Sequence, residues 1–250
     1  MPPAPVPDGA AAPPDALADW LAIRPLVPWP RETAAPGLPK GGGADSARPP
    51  DAHRPTADGI RDLLAERTAR DPAGAERALA ALDRARADAA RGRELRFSLM
   101  AEWQRLVLDR HETGFRRLPA FAKRGRERYG LTPQTPALFD RCLAESAAPG
   151  LPLPARVARA HLDVLFFHPF DDGNARAALL ATAYLLARAG APLGRAHALR
   201  TTRWADDPEG AAGLSHLLAL LLTASDPPHH APSQPGARRL DETVVPRPDD

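Results

Sequence analysis

The chain has 250 residues, a formal net charge of +2 and a pI near 9.1, a balance too mild to indicate a nucleic-acid-binding protein by itself. Its single cysteine, Cys142, excludes an internal disulfide framework and is typical of a reducing compartment. No run of about 18 apolar residues is present, and prolines stand where a signal peptide would carry its basic and apolar regions. We therefore expect a cytoplasmic protein that does not cross a membrane.

Proline and glycine divide the sequence into three parts. They crowd residues 1–55 and again residues 226–250. Such segments bury too little apolar surface to offset the entropy of the chain, so we predict a disordered tail at each end. For Trp20 and Trp29, two large apolar residues in the first tail, docking on the body and disorder both stay open. Residues 56–225 then form one domain of ordinary size.

The body of the chain is rich in Ala, Leu and Arg and poor in β-branched and aromatic residues, which favours helix over sheet. Apolar periodicity and helix-capping residues predict helices that begin near Asp58 and at Asp71, followed by helices over about 93–110, from Thr132 or Thr135, and over about 154–167, 176–189 and 211–224. Residues 114–130 differ, because they are strongly basic and fit an extended or hairpin segment.

The most informative stretch of the sequence runs from His168 to Arg176, between two predicted apolar helices. Gly173 permits a tight backbone turn that other residues resist. The N–H groups of residues 173–176 would then lie at the N-terminus of the second helix. Such an end offers unpaired donors and the positive end of a dipole, and it is therefore a candidate anion site.

The side chains of this stretch extend the same chemistry. Asn174 and Arg176 can add donors to a phosphate, and a carboxylate beside a phosphate usually requires a divalent cation, most simply Mg²⁺. Asp172 is the first candidate ligand and Asp171 the second. His168 can accept a hydroxyl proton near neutral pH. The same residue types also fit a plain capped loop before a helix, without catalysis.

The stretch resembles the signature of the Fic family, His-x-Phe-x-(Asp/Glu)-Gly-Asn-Gly-Arg-x-x-Arg. The matching residues are His168, Phe170, Asp172, Gly173, Asn174 and Arg176. His161 lies where family members often carry a histidine on the preceding helix. The resemblance covers about residues 95–225, the expected core of the domain, and is strongest over 161–179. It implies an all-α, mainly helical Fic-type bundle with a small β-hairpin flap, formed here by residues 114–130.

The resemblance also implies an activity, since Fic enzymes typically transfer AMP from ATP onto a Ser, Thr or Tyr hydroxyl of a target protein. His168 would deprotonate that hydroxyl, and Asp172 would hold Mg²⁺ between the α- and β-phosphates. The flap would align the target by β-augmentation, and its charges would favour acidic targets or a nucleotide, or simply form a solvated surface. The residues that bind the nucleotide and its phosphates would be Gly173, Asn174, Ala175 and Arg176.

Two positions depart from the family signature. Ala175 replaces its second glycine, and Leu179 replaces the second arginine, which in typical members contacts the terminal phosphate of the nucleotide. Loss of that charge-assisted contact costs about 2–3 kcal/mol, and Arg188 or Arg195 could restore it only by unusual geometry. Three alternatives stay open: weaker AMP transfer, transfer of a different phosphate-containing group, and a module that binds a phosphate-containing ligand or a protein partner without catalysis.

Regulation and other partners are less clearly indicated. Many family members carry an inhibitory helix with the pattern (Ser/Thr)-x-x-x-Glu-(Gly/Asn), and the nearest match here ends at Glu102, which Trp103 follows. With Leu179 in place of the arginine, such a glutamate would have no partner, so we expect no inhibitory helix. An antitoxin or regulator in another chain stays an open partner. Nucleic-acid binding through the arginines of residues 114–130 would require a steep salt dependence and is not expected.

Overall fold

The computed structural model describes residues 14–30, 58–66 and 68–224. The helices are α1 (Ala16–Ile23), α2 (Gly59–Ala65), α3 (Pro72–Ala90), α4 (Phe97–Leu108), α5 (Thr135–Ala147), α6 (Leu153–Phe167), α7 (Asn174–Arg188) and α8 (Pro208–Thr223). Strands β1 (Ala120–Ala122) and β2 (Glu127–Tyr129) pair antiparallel. The predicted mainly helical fold with a small hairpin is confirmed. Within the described residues, no helix has the length and apolar character needed to cross a membrane.

Aspartate side chains begin several of these helices. Asp58, Asp71 and Asp207 each accept a hydrogen bond from the backbone N–H three residues later. Pro72 and Pro208 occupy the first turn of their helices, where no N–H partner is needed. The starts predicted at Asp58 and Asp71 are confirmed, and α8 begins three residues before the predicted position because Asp207 and Pro208 form the same start signal.

Helices α6 and α7 form the centre of the bundle, and α3, α5 and α8 pack around them. Alanines on α7, such as Ala178 and Ala181, are fully buried and permit close approach of the neighbouring helices. The loop that joins α6 to α7 contains the stretch from Pro169 to Gly173. Because both flanking helices lie in the core, this loop is anchored at both ends.

Residues 14–30 correct the prediction of a disordered tail over residues 1–55. Trp20 on α1 is 0 % exposed, and its Nε1 donates to Oδ1 of Asp163 on α6 at 3.0 Å. Arg24 donates to both oxygens of Asp163, at 2.8 and 3.0 Å. The proline-rich composition of the segment masked this short apolar helix, whose buried face supplies a stabilising contact. The rest of the first predicted tail and the second one, residues 226–250, lie outside the described residues.

The flap, residues 114–130, contacts the same N-terminal helix, α1. In its hairpin Phe121 lies opposite Arg128. The Gly130 N–H donates to Oδ1 of Asp15 at 2.8 Å, and the same oxygen accepts the N–H of Leu17 and so caps α1. One carboxylate therefore joins the start of α1 to the end of the flap.

Candidate functional site

A cavity of about 550 Å³ separates the flap from the loop between α6 and α7. The predicted base, the predicted metal ligands and the predicted phosphate-binding residues all line it. From the flap it is lined by Arg116, Leu118, Pro119, Ala120 and Phe121, and from the loop and α7 by His168 and Phe170–Arg176. The contiguous sequence stretch thus faces one cavity.

His168 ends α6 in a left-handed conformation, with a φ of 45°. Its Nδ1 lies 2.5 Å from the carbonyl oxygen of Leu165. Because a carbonyl oxygen only accepts, Nδ1 carries the proton and Nε2 keeps its lone pair. Burial lowers the pKa of His168 to about 4, with a smaller contribution from the nearby positive charge of Arg116. The ring is therefore neutral at pH 7 and can accept a proton through Nε2.

The ring of Tyr129 on β2 packs against the face of the His168 ring. The two rings are stacked, with centroids 4.5 Å apart and planes 14° apart. The Tyr129 hydroxyl donates to Glu127, which also accepts from the N–H of Ala205 at 3.2 Å and pairs with Lys123 at 2.6 Å. Burial, followed by this hydrogen bond, raises the pKa of Tyr129. Sequence reasoning missed Tyr129 because its distance from the motif in sequence conceals the contact.

Asn174 closes the loop with its side chain. Its Oδ1 accepts from the N–H of Phe170 at 2.9 Å, and its Nδ2 donates to the carbonyl of the same residue at 2.7 Å. The side chain is buried and engages the loop, whereas the sequence predicted it as an additional phosphate donor. Asn174 would therefore contribute to anion binding through its backbone N–H, at the first residue of α7.

A glycine is required at position 173 by the backbone conformation and by the neighbouring side chain of Gln104. Its φ is +77°, and a Cβ there would lie 2.3 Å from Nε2 of Gln104. That amide donates to the carbonyl of Asp172 at 2.7 Å and so supports the loop from α4. Gln104 was not predicted, although a polar residue on the apolar face of α4 was the available signal.

The N-terminus of α7 has Gly173 as its N-cap, and none of the described side chains caps this end. Ala175 lies within the helix, where a positive φ is not required, so its methyl group does not strain the backbone. Arg176 also lines the cavity, and its guanidinium lies 3.7 Å from Oδ2 of Asp172. The helix end thus presents its dipole and a cation to the cavity.

Asp172 fits one mode of Mg²⁺ binding. Its side chain is 71 % exposed, and its Oδ1 accepts the N–H of Gly173 at 2.5 Å. Asp171 lines the same cavity. Among the described residues no group of three or more His, Cys, Asp or Glu side chains could hold a metal. Mg²⁺ is commonly held by one or two carboxylates together with substrate phosphates, and Asp172 with Asp171 suits that mode.

Arg116 is buried, whereas the basic flap segment suggested a solvated arginine surface. It is 3 % exposed and donates to the carbonyls of Leu118 and Gly130, both at 2.6 Å, and of Phe167 at 3.3 Å. Burial lowers its pKa to about 10. Arg116 therefore ties both ends of the flap to the residue that precedes His168.

Leu179, in place of the second arginine of the signature, lines two further cavities of about 830 and 330 Å³. Arg200 lines both of them and is paired with Glu66. Arg188 is engaged elsewhere, since its guanidinium donates to the carbonyl of Arg93 at 3.3 Å and to the Tyr184 hydroxyl at 3.2 Å. A cation from another part of the chain, Arg200, thus lines both cavities beside Leu179.

The Fic/DOC family model matches residues 94–186, which include α4, the flap, α5, α6 and nearly all of α7. Comparison with curated proteins and with solved structures gives no match. The matched range contains the cavity loop and the departures at Ala175 and Leu179. Fic/DOC domains generally transfer phosphate-containing groups such as AMP. Residues 94–186 of this chain thus match the Fic/DOC family, and the structure gathers the signature residues of that family around one cavity.

Proposed function

We propose that the protein transfers AMP from ATP onto a Ser, Thr or Tyr hydroxyl of a target protein, with Mg²⁺ as cofactor and His168 as general base. One observation carries the proposal. His168, which keeps an unprotonated Nε2, lines the same cavity as the uncapped start of α7 and the carboxylate of Asp172. A base, an anion site and a metal ligand in one cavity suit phosphoryl chemistry.

In the proposed reaction the target hydroxyl oxygen forms a bond to the α-phosphorus, and the bond from that phosphorus to the oxygen bridging to the β-phosphate breaks. Pyrophosphate leaves, and the hydroxyl proton passes to Nε2 of His168. Backbone N–H groups at the start of α7 and the side chain of Arg176 stabilise the charge on the phosphoryl oxygens. When bound by Asp172, Mg²⁺ neutralises part of the phosphate charge.

A second candidate function rests on Leu179. With a leucine at this position, one charge-assisted contact to the terminal phosphate is lost. The chain would then be an impaired module that binds a phosphate-containing ligand or a protein partner, or it would transfer a group that has no terminal phosphate to hold. Arg200 weakens this alternative, since it lines the cavities beside Leu179.

The test uses the full chain, Mg²⁺ and a cell lysate with ATP labelled at the α- or the γ-phosphate. We expect transfer of the α-label only, and its loss by 10²-fold or more in His168→Ala. We expect that variant to keep its fold, because among the described residues the side chain forms one hydrogen bond, with Leu165, and one ring stack, with Tyr129. Transfer that persists in His168→Ala would refute the base assignment.

The two candidate functions give different results in a second measurement. Nucleotide with Mg²⁺ should raise the thermal midpoint according to the ligand concentration and its Kd. Stabilisation without any label transfer would favour the binding module. Transfer of the γ-label would instead assign a phosphotransferase activity.

A further inference from the structure

One carboxylate fixes the last residue of the flap to the start of α1. Oδ1 of Asp15 accepts the N–H of Gly130 at 2.8 Å while it caps α1 through the N–H of Leu17 at 3.1 Å. The backbone of Asp15 also forms a β-bridge with Arg128, whose guanidinium lies 3.9 Å from Oδ2 of Asp15. The approach is close, since a Cβ on Gly130 would lie 1.9 Å from that Oδ2. The position of Gly130 is therefore set by α1.

Helix α1 is in turn fixed to the helix that ends at His168. The ring of Trp20 is 0 % exposed and packs on Phe166, with centroids 4.9 Å apart. Trp20 and Arg24 both donate to Asp163. Phe166 and Asp163 belong to α6, of which His168 is the C-cap. Helix α1 thus connects the helix that carries the candidate base to the flap that covers it.

Two sets of contacts continue from Gly130 to His168. The carbonyl of Gly130 accepts from Arg116 at 2.6 Å, and the same guanidinium nitrogen donates to the carbonyl of Phe167 at 3.3 Å. Tyr129, which precedes Gly130, stacks on the His168 ring with centroids 4.5 Å apart. A displacement of Gly130 would therefore disturb both the backbone before His168 and the packing on the face of its ring.

The side chain of His168 has few other supports. Among the described residues it forms one hydrogen bond, from Nδ1 to the carbonyl of Leu165. Its φ of 45° lies in the left-handed region, which a residue other than glycine occupies at a cost in free energy. One hydrogen bond holds one edge of the ring, whereas the stack on Tyr129 holds its plane. The direction of Nε2 thus depends on the position of the flap.

We propose that α1 is a positioning element of the site and that Asp15 is the positioning residue through which it acts. Asp15 does not line the cavity. Its carboxylate holds Gly130, and the flap in turn holds the ring of His168 and the backbone before it. Misplacement of a reacting group by about 1 Å can lower a rate on the order of 10²-fold. The proposal rests on the proposed function only for the role of His168 as base, because the coupling of α1 to the ring does not require transfer.

The test compares two substitutions of Asp15 in the full chain. Asp15→Ala removes the acceptor, whereas Asp15→Asn removes the charge and keeps an oxygen for the N–H of Gly130. Asp71→Ala is the matched control, because Asp71 caps α3 through the N–H of Gly74 at 2.9 Å and does not line the cavity. Loss of either aspartate removes one helix cap. The contacts of α1 with α6 remain in both Asp15 variants, so the helix should stay docked.

The first readout is the NMR spectrum of the chain with isotope-labelled histidine rings. The His168 resonances are assigned by their absence from His168→Ala, and Tyr129→Leu supplies their positions without the stack. An aromatic ring shifts the resonances of protons that lie over its face, so Asp15→Ala should move the His168 ring signals towards those of Tyr129→Leu. Asp15→Asn and Asp71→Ala should leave them unchanged. Wild-type signals in Asp15→Ala, or equal shifts in both Asp15 variants, would overturn the proposal.

The second readout is the rate of label transfer. Asp15→Ala should lower kcat about tenfold with little change in the KM for ATP, and Asp15→Asn should restore it. Gly130→Ala should act in the same direction from the other side of the contact, because its Cβ would displace the Asp15 carboxylate. Glycine is not required there by a positive φ, so the fold should persist.

A failure of this inference is distinguishable from a failure of the proposed function. A wild-type chain that transfers no label would remove the transferase, and the histidine resonances would still decide whether α1 positions the ring. Transfer that is unchanged in Asp15→Ala would leave the transferase standing and overturn the positioning role of Asp15.

Discussion

Arg24→Ala tests the attachment of α1 to the bundle. Arg24 is 7 % exposed and donates to both carboxylate oxygens of Asp163, which is 0 % exposed. It also donates to the carbonyl of Cys142 at 3.0 Å. Removing one partner of a buried ion pair leaves the other charge uncompensated in a medium of low dielectric constant, which typically costs about 3–5 kcal/mol.

The expected loss lies at the lower end of that range. Without Arg24, Asp163 still accepts from the Trp20 indole at 3.0 Å and from the Ser146 hydroxyl at 3.1 Å, and these donors continue to solvate its charge. We expect the free energy of unfolding to fall by about 3 kcal/mol. For a chain of this size that corresponds to a decrease in Tm of about 6–12 °C.

The assay is urea unfolding of the full chain at pH 7, followed by tryptophan fluorescence, with thermal unfolding in parallel. Arg96→Ala is the matched control, because Arg96 and Glu94 form an ion pair whose side chains are 57 % and 60 % exposed. Such an exposed pair contributes little to stability. If the two variants lost the same stability, the assignment of a buried ion pair to Arg24 and Asp163 would be wrong.

Three further predictions concern the site and its surroundings. Gly173→Ala should cost at least about 1–3 kcal/mol, because it combines a positive φ with a clash, whereas Gly213→Ala on α8 has open space and should be neutral or stabilising in the same urea assay. Burial lowers the pKa of His161 to about 4, so the unfolded state binds more protons between pH 6.5 and 4, and the free energy of unfolding falls as the pH falls through that window. His161→Gln should remove about 2 kcal/mol of the loss between pH 6.5 and 5. If the dependence of the free energy of unfolding on pH were unchanged in this variant, the loss would not come from His161. Tyr129→Phe keeps the stack on His168 and should retain nearly the full kcat of transfer, whereas Tyr129→Leu should lower kcat about tenfold with little change in the KM for ATP. An equal effect of the two variants would assign the positioning of His168 to the Tyr129 hydroxyl.

Local signals made most of the fold predictable. Helices α2 and α3 begin at the predicted aspartates, and α6 and α7 lie within two residues of the predicted bounds. Helix α1 was missed as a docked element because its stabilisation comes from Asp163, far away in the sequence. Composition averages over a proline-rich segment cannot report a contact of that kind.

The residues of the functional site also fall into a group that the sequence predicts and a group that it does not. The residues from His168 to Arg176 are contiguous, so their chemistry could be read from one stretch of sequence. Their supports come from other elements, namely Gln104 on α4 and Tyr129 on β2. Which of these side chains would reach the loop depends on how the helices pack, and a single sequence carries no direct record of that packing.

The docking of α1 also orders events during synthesis. Trp20 and its partner Asp163 are separated by 143 residues, a length that a ribosome takes on the order of 10 s to make. Throughout that interval the part of α1 that packs on α6 has no native surface to cover it. Because the cavity is lined by the loop after α6 and by the start of α7, it is completed only after these residues have emerged. Assembly of the site is therefore a late step, and activity cannot appear on the nascent chain before it.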